Sequence, residues 1–93
     1  MSLKFEWDRK KANANSKKHK VSFEEAATVF GDTLSITIPD PLHSELEDRL
    51  IILGQSLKRR LLVVVHIERG ERIRIISARE ATRYERKQYE EKE

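Results

Sequence analysis

The feature that most constrains the fold of this chain is the stretch of residues 61–79, which has the pattern of a β-hairpin. Aliphatic residues run along positions 61–67, and Arg69-Gly70 predicts a turn into a second strand. Charged and imidazole side chains are set into this apolar pattern: His66, Glu68, Arg72 and Arg74. A strand that only packs against a core does not need such side chains. We therefore expect the hairpin to carry functional residues on a rigid frame.

Strand pairing sorts these side chains onto the two faces of the sheet. A two-residue turn at Arg69-Gly70 predicts that Glu68 lies opposite Glu71. Arg72 and Arg74 then lie on the face opposite to that of Glu68, because the side chains of neighbouring residues alternate.

A preceding strand is predicted at Arg49–Leu57, with a two-residue turn at Lys58-Arg59. This turn would pair Arg49 with Glu68. One interpretation is a carboxylate base beside a phosphate-binding arginine. The alternative is an ordinary cross-strand salt bridge at the end of a sheet.

The remaining segments predict an α+β domain with two N-terminal helices, one C-terminal helix and an antiparallel sheet of about four strands. Asp8 is expected to cap a basic helix from Arg9 to about Lys18. Ser22 and Glu25 form the capping box of a second, three-turn helix that ends at Gly31.

Further strands and the last helix follow from the same patterns. Strands are predicted at Leu34–Ile38 and Glu71–Ser77, and Leu3–Glu6 would be an additional one. A polar loop is expected at His43–Glu47. Ala78–Glu93 contains no glycine or proline and is predicted to be helical.

Length and composition limit the possible classes of protein. Ninety-three residues indicate a single domain, residues 1–93. The absence of cysteine excludes disulfides and thiolate metal sites. The longest apolar run, residues 61–65, is far shorter than the ~20 residues that span a bilayer, and the N-terminus lacks a signal-peptide pattern. We therefore expect a cytoplasmic protein.

Several common enzyme classes lack their motifs in this sequence. His19, His43 and His66 do not have the spacing of metal ligands. The sequence contains neither a glycine-rich phosphate loop nor a nucleophile elbow. We therefore expect no bound metal and no cofactor.

The charges are segregated along the chain. Residues 1–20 carry seven lysines and arginines against two acidic residues, whereas residues 21–50 carry one against seven. Residues 51–77 are again basic, with six against two. Two basic segments in a small domain are typical of a phosphate-binding face, and a solvated surface of mixed charge is the alternative.

Arginines near the hairpin are the main candidates for binding a phosphodiester. Arg72 and Arg74, together with Arg79 and Arg83 on the predicted last helix, would surround a phosphodiester with delocalised positive charge. The alternative is that they are ordinary solvent-facing residues of a half-covered sheet.

Other polar residues are also candidates for the site. His66 is either a proton shuttle or a packed strand histidine, and His19 is either a site residue or a favourable cation at a helix C-terminus. Lys11 lies on the basic helix. Tyr89, like Tyr84, would either stack on a base or pack the last helix against the sheet.

Taken together, these motifs resemble the BrnT family, the ribonuclease toxins of a bacterial type II toxin–antitoxin system. The pattern FEWDxxKAxxNxxKHxVSFEEAATVFGD matches Phe5–Asp32, and an arginine-started strand matches Arg49–Gly54. The pattern LLVVVHxERGxRIRIISARxATxxERxxYEE matches Leu61–Glu91. Lys20 stands where the family usually has glycine, at a position that corresponds to the end of the first helix.

The resemblance implies a RelE-like fold and an RNA-cleaving toxin. It also implies a BrnA-like antitoxin with a ribbon-helix-helix DNA-binding part, assembled 2:2 with the toxin and binding operator DNA. The polar positions that match by motif are His19, Arg49, Glu68, Arg74, Ser77, Arg79 and Tyr89.

On this basis we expect a metal-independent endoribonuclease in which the 2′-hydroxyl attacks the neighbouring phosphate. Glu68, or His66 if Glu68 is held in an ion pair, would be the base. Arg49, Arg74 and Arg79 would stabilise the charge of the transition state. The alternative is a non-enzymatic binding module that acts only in an operon-repressing complex with the antitoxin.

Overall fold

The computed structural model describes residues 3–41 and 48–91, and these form a five-stranded sheet with three α-helices. The predicted loop at His43–Glu47 falls outside the described residues. The elements in chain order are β1 (Lys4–Glu6), α1 (Arg9–His19), α2 (Phe23–Thr28), a 3₁₀ turn (Val29–Gly31), β2 (Ile36–Pro39), β3 (Arg49–Gln55), β4 (Leu61–Arg69), β5 (Arg72–Glu80) and α3 (Arg83–Glu91).

The sheet is mixed, with the strand order β1-β5-β4-β3-β2. Four strands are antiparallel to their neighbours, whereas β1 pairs with β5 in parallel. The sheet has five strands where about four were predicted, because the additional strand expected at Leu3–Glu6 forms as β1, and the expectation of an antiparallel sheet is wrong for the β1–β5 pair. Phe5 attaches the three-residue strand β1 to the core, because its ring centroid lies 5.2 Å from that of Phe30.

The loop between β3 and β4 corrects the predicted pairing of Arg49 with Glu68. Ser56 N–H donates to the Arg60 carbonyl (2.8 Å), so three residues turn the chain, and Arg59 has a left-handed φ of 66°. The longer loop shifts the register by one residue, and Arg49 pairs with Ile67. Because a one-residue shift reverses the faces, Arg49 and Glu68 lie on opposite faces of the sheet.

The β4–β5 turn lies at Gly70-Glu71, one residue after the predicted site, and Gly70 has a φ of 61° that suits glycine. Glu68 therefore pairs with Ile73 and not with Glu71. This two-residue shift keeps the predicted sorting, with Arg72 and Arg74 on the face opposite to Glu68. A register shift between Val65 and His66 marks a bulge in β5.

The predicted terminal helix begins too early, because residues 78–80 continue β5. α3 starts at a capping box that the sequence analysis missed. Glu85 N–H donates to Thr82 Oγ1 (3.2 Å), and Thr82 N–H donates to Glu85 Oε1 (2.8 Å). The signal is the pattern T-x-x-E in the sequence.

The two faces of the sheet are covered differently. α1, α2 and the 3₁₀ turn pack on one side, which we call the core face. Its fully buried residues include Phe23, Leu62, Val64 and Ile75. The other side carries six basic residues of the described strands and is covered at one end by α3; we call it the arginine face. Leu53, Leu61 and Val63 pack there with Tyr89.

The predicted N-terminal caps of the first two helices are confirmed by their hydrogen bonds. Asp8 accepts from Lys11 N–H (3.1 Å), and Ser22 accepts from Glu25 N–H (3.0 Å). α1 ends at His19, and Lys20 adopts the left-handed conformation at its C-terminus with a φ of 60°. The predicted three-turn helix consists of the short α2 and the 3₁₀ turn that continues it to Gly31.

Candidate functional site

Four arginines gather on the arginine face at the end of the sheet that α3 does not cover. We call them the arginine row: Arg49, Arg69, Arg72 and Arg74. Arg69 pairs with Arg72, while Arg49 and Arg74 both pair with Ile67 between them. Two strand spacings of about 4.8 Å put the Cα atoms of Arg49 and Arg74 about 10 Å apart. Long arginine side chains at this separation can contact one phosphodiester together.

The β1 residue Glu6 brings a carboxylate to the arginine row on this face. Glu6 pairs with Arg74 across the parallel β1–β5 ladder. Its Oε1 lies 3.2 Å from Arg72 Nη1 and its Oε2 lies 3.6 Å from Arg74 Nη1. The Glu6 side chain is 28% exposed, so the pair is accessible from solution. Sequence reasoning missed Glu6 as a site residue because only the parallel pairing of β1 brings it to these arginines.

Arg79 lies away from the row, on β5 and not on the predicted helix. It is five positions from Arg74 along the strand, a distance of roughly 15 Å. Its guanidinium donates two hydrogen bonds of 2.8 Å to the Glu85 carboxylate. The hydrogen bonds from Arg79 lower the pKa of the Glu85 carboxyl group to about 2. Arg79 is thus part of the anchor of α3.

His66 and Glu68 lie on the core face. The His66 ring is completely buried, 4.7 Å from Phe30 in an edge-to-face arrangement. Its Nε2 is 3.5 Å from Glu68 Oε2 and has no hydrogen-bond partner within the described chain. Burial lowers the pKa of His66, because desolvation outweighs the attraction of Glu68. Glu68 itself is exposed, whereas His66 cannot contact RNA in this arrangement.

A third group lies at the edge of β5, beyond the end of β1. Lys11, Lys18 and His19 of α1 line a shallow depression with Ser77. Asn15 hydrogen-bonds to the backbone of β5 beside this depression. Its side-chain amide donates to the Ala78 carbonyl (2.8 Å) and accepts from Ala78 N–H (3.1 Å).

Two residues predicted to bind RNA belong to α3. Arg83 is its first residue and is exposed. The Tyr89 hydroxyl donates to Asp32 Oδ2 (2.6 Å), and this hydrogen bond is the main cause that raises the pKa of Tyr89 to about 12. Tyr89 therefore attaches α3 to the sheet, which favours packing over base stacking for this residue.

An apolar groove of about 340 Å³ lies between α3 and the arginine face. Its floor consists of aliphatic side chains from β2, β3 and β4: Ile36, Ile38, Ile51, Leu53 and Val63. Tyr84, Glu85 and Gln88 of α3 form the wall, and Arg79 lies at its base. Tyr84 is 72% exposed and Ile38 is 50% exposed, so the groove is open to solution.

The structure therefore divides the predicted site residues into separate groups. Arg49, Arg72 and Arg74 come together, and Lys11 and His19 come together, whereas Glu68 lies with His66 on the other face.

Among the described residues no three His, Asp or Glu side chains are grouped as metal ligands. Within the same ranges, no helix has the length and apolar character needed to cross a membrane.

Comparison with known proteins identifies the family. Residues 7–85 match the model of the ribonuclease toxin BrnT of type II toxin–antitoxin systems. The fold is similar to the crystal structure of the Brucella abortus ribonuclease toxin BrnT, with a TM-score of 0.69 and 22% sequence identity. The match covers 88% of this chain and 100% of that chain.

None of the curated proteins matches the chain. The resemblance noted in the sequence is confirmed by the family model and by the shared fold, while the broader RelE-like description stays a prediction. Since the family model spans most of the sequence, the chain belongs to the BrnT family of type II toxin–antitoxin ribonuclease toxins.

Proposed function

We propose that the chain cleaves RNA without a metal ion, by attack of a ribose 2′-hydroxyl on the adjacent phosphate. The observation that carries this proposal is the arginine row on the open end of the sheet in a chain of a ribonuclease family. The O2′–P bond forms as the P–O5′ bond breaks, and the products are a 2′,3′-cyclic phosphate and a 5′-hydroxyl. DNA lacks the attacking hydroxyl and is not cleaved.

The arginines bind the phosphate and stabilise the charge that develops on it. Arg49 and Arg74 flank the position of the scissile phosphate, and Arg72 binds beside them. Arg83, Lys11 and His19 contact the RNA backbone beyond the cleaved bond, and Arg79, which Glu85 holds, supports α3. Loss of Arg74 costs about 10²- to 10³-fold in kcat, by analogy with the loss of one oxyanion-hole donor.

The base is a carboxylate that takes the proton of the 2′-hydroxyl, while water protonates the leaving 5′-oxygen. Glu6 is favoured because it contacts Arg72 and Arg74 on the face where the phosphate binds. Glu68, the base indicated by the sequence, is the alternative, since it is exposed at the same end of the sheet on the other face. His66 is buried and supports Glu68 at most indirectly.

The test is cleavage of end-labelled RNA by the purified chain in excess chelator, with the product ends identified. Glu6→Gln and Glu68→Gln are a matched pair of isosteric changes on opposite faces. We expect cyclic phosphate ends from the wild type, a large loss of kcat for Glu6→Gln and near-normal cleavage by Glu68→Gln. The reverse order would make Glu68 the base, and loss of wild-type cleavage in chelator would contradict the metal-free mechanism.

Toxicity tests the proposal against the non-enzymatic binding module. Induced expression of the wild type without antitoxin arrests bacterial growth under the ribonuclease proposal, and Arg74→Ala relieves the arrest. Growth that is indifferent to expression would favour the binding module.

The partner proposed for the chain is a BrnA-like ribbon-helix-helix antitoxin in a 2:2 complex that binds operator DNA. A ribbon-helix-helix part must dimerise to form its DNA-reading ribbon, which supports two toxin copies per complex. Light scattering of the co-purified pair measures the stoichiometry, and a 1:1 mass would contradict it. A cytoplasmic location is part of the same proposal.

A further inference from the structure

The groove beside α3 has the lining of a binding site for a small planar ligand. Binding sites of this kind are concave and mostly apolar, with a few polar groups that fix the orientation of the ligand. Here the floor is aliphatic, while Tyr84 offers an exposed ring and Gln88 offers a side-chain amide. An amide has both donors and acceptors, so it can bind the edge of a nucleobase.

The groove lies directly next to the arginine row. Ile51 on its floor is two residues from Arg49 on the same face of β3, a separation of about 7 Å. Ile38 pairs with Ile51, and Val65 pairs with it on the other side, so an apolar strip borders the arginines. A ligand that fits both features is anionic at one end and flat and apolar at the other.

We propose that this groove binds the unpaired base of the nucleotide next to the phosphate that the arginine row holds. The inference rests on the proposed ribonuclease function and adds its substrate class, single-stranded RNA with a base turned out of the stack. The base stacks on Tyr84 and lies over Ile38 and Ile51, and Gln88 contacts its hydrogen-bonding edge. Unstacked bases are the usual targets of sequence-dependent RNA recognition.

The size of the groove favours a nucleotide over a protein segment. A volume of about 340 Å³ is at the lower end of the range of small-ligand sites. A stable protein partner needs about 800 Å² of contact on each side, which this groove alone does not offer. Its neighbours Arg49 and Arg74 also match the phosphate that a base always carries in RNA.

The first test titrates the full chain with the four nucleoside 3′-monophosphates and, in parallel, with inorganic phosphate, while methyl resonances are followed by NMR. We expect the nucleotides to shift the methyl groups of Ile38, Ile51 and Val63, and inorganic phosphate to leave them unchanged. Nucleotides that leave these methyl groups unchanged would overturn the proposal, even if the antitoxin shifts them, because the groove would then be a protein contact.

The second test uses variants at an exposed position that the fold does not need. Tyr84→Ala removes the ring on which the base stacks. We expect this change to weaken nucleotide binding by about 5- to 150-fold and to raise the KM for RNA by a similar factor. Tyr84→Phe keeps the ring and restores binding. Leu57→Ala is the control, because Leu57 is 84% exposed and lies outside the groove.

The proposal would be contradicted if the Tyr84→Ala variant bound nucleotides as tightly as the Leu57→Ala variant. The titration does not depend on cleavage, so the two proposals fail separately. A chain that binds bases in the groove and cleaves no RNA contradicts only the ribonuclease mechanism. A chain that cleaves RNA and shows no methyl shifts contradicts only the base site.

Discussion

At the scale of single residues, Arg60 holds together parts of the chain that are distant in sequence. Its guanidinium donates to both oxygens of Glu25, whose side chain is only 2% exposed. It also donates to Glu80 (3.1 Å) and to the Lys20 carbonyl (3.0 Å), and Ser56 donates to Glu25 (2.7 Å). The Glu25 carboxylate predicted for a capping box is thus used in this network.

Replacing Arg60 by methionine leaves the buried Glu25 carboxylate without its cation. We expect Arg60→Met to lower the free energy of unfolding by about 3 kcal/mol, measured by urea denaturation. Arg86→Met is the control, because the Arg86–Glu90 pair is exposed and its loss should change stability by less than about 0.5 kcal/mol. Equal losses in the two variants would contradict a structural role for Arg60.

The same pair predicts how this difference depends on pH. Hydrogen bonds from Arg60 hold the pKa of Glu25 below its ordinary value of 4.5. A depressed carboxyl pKa stabilises the fold fully above 4.5, and this stabilisation is lost as the pH falls through the lower folded value. The unfolding curves of wild type and Arg60→Met should therefore converge in acid, and a constant difference would contradict this origin.

At the scale of elements, the contact between the 3₁₀ turn and β3 depends on Gly54. A Cβ atom at Gly54 would lie 2.8 Å from Val29 Cγ1 and 3.0 Å from Ser35 Cβ. Both distances are shorter than an ordinary van der Waals contact, so the 3₁₀ turn approaches β3 closely only because this position has no side chain.

Gly54→Ala should therefore force these elements apart. We expect a loss of about 1 to 3 kcal/mol in the free energy of unfolding, the usual cost of overpacking a core. Gly31→Ala is the matched control, since nothing lies within 4 Å of its Cβ position and its φ is not positive. Thermal unfolding that ranks Gly31→Ala as the more damaging change would contradict this packing.

α3 lies against the sheet without complete burial of any of its described residues. Arg79 holds Glu85 at its start, and Tyr89 binds Asp32 near its end. These two polar contacts position the helix beside the sheet, and the groove between them stays open as a result.

At the scale of the whole molecule, the sheet separates a packed face from a charged one. The core face is closed by helices, and the arginine row lies on the other side at the uncovered end. If RNA binds there, the salt dependence of its affinity should report these arginines, because each neutralised phosphate releases counterions.

Arg74→Gln is expected to reduce the slope of log K against log salt concentration by about 0.7 for single-stranded RNA. A 2′-O-methylated RNA prevents cleavage during the measurement. Lys58→Gln removes the same charge from the exposed β3–β4 loop, at the end of β3 opposite to Arg49, and should leave the slope close to that of the wild type. A larger effect of Lys58→Gln would place the RNA at that end of the sheet.

Features that depend on neighbouring residues could be predicted from the sequence. The caps at Asp8 and Ser22, the strands β2 to β4, the two N-terminal helices and the family motifs could all be recognised, because hydrogen-bonding side chains and apolar periodicity act over a few positions.

Which side chains meet across the sheet could not be predicted in the same way. A hairpin loop of three residues in place of two moved Glu68 to the face opposite Arg49, since one residue of register reverses every side chain of a strand. The parallel pairing of β1 brought Glu6 to Arg74 across almost the whole sequence. Such contacts depend on loop length and strand register, which short-range patterns in the sequence do not specify.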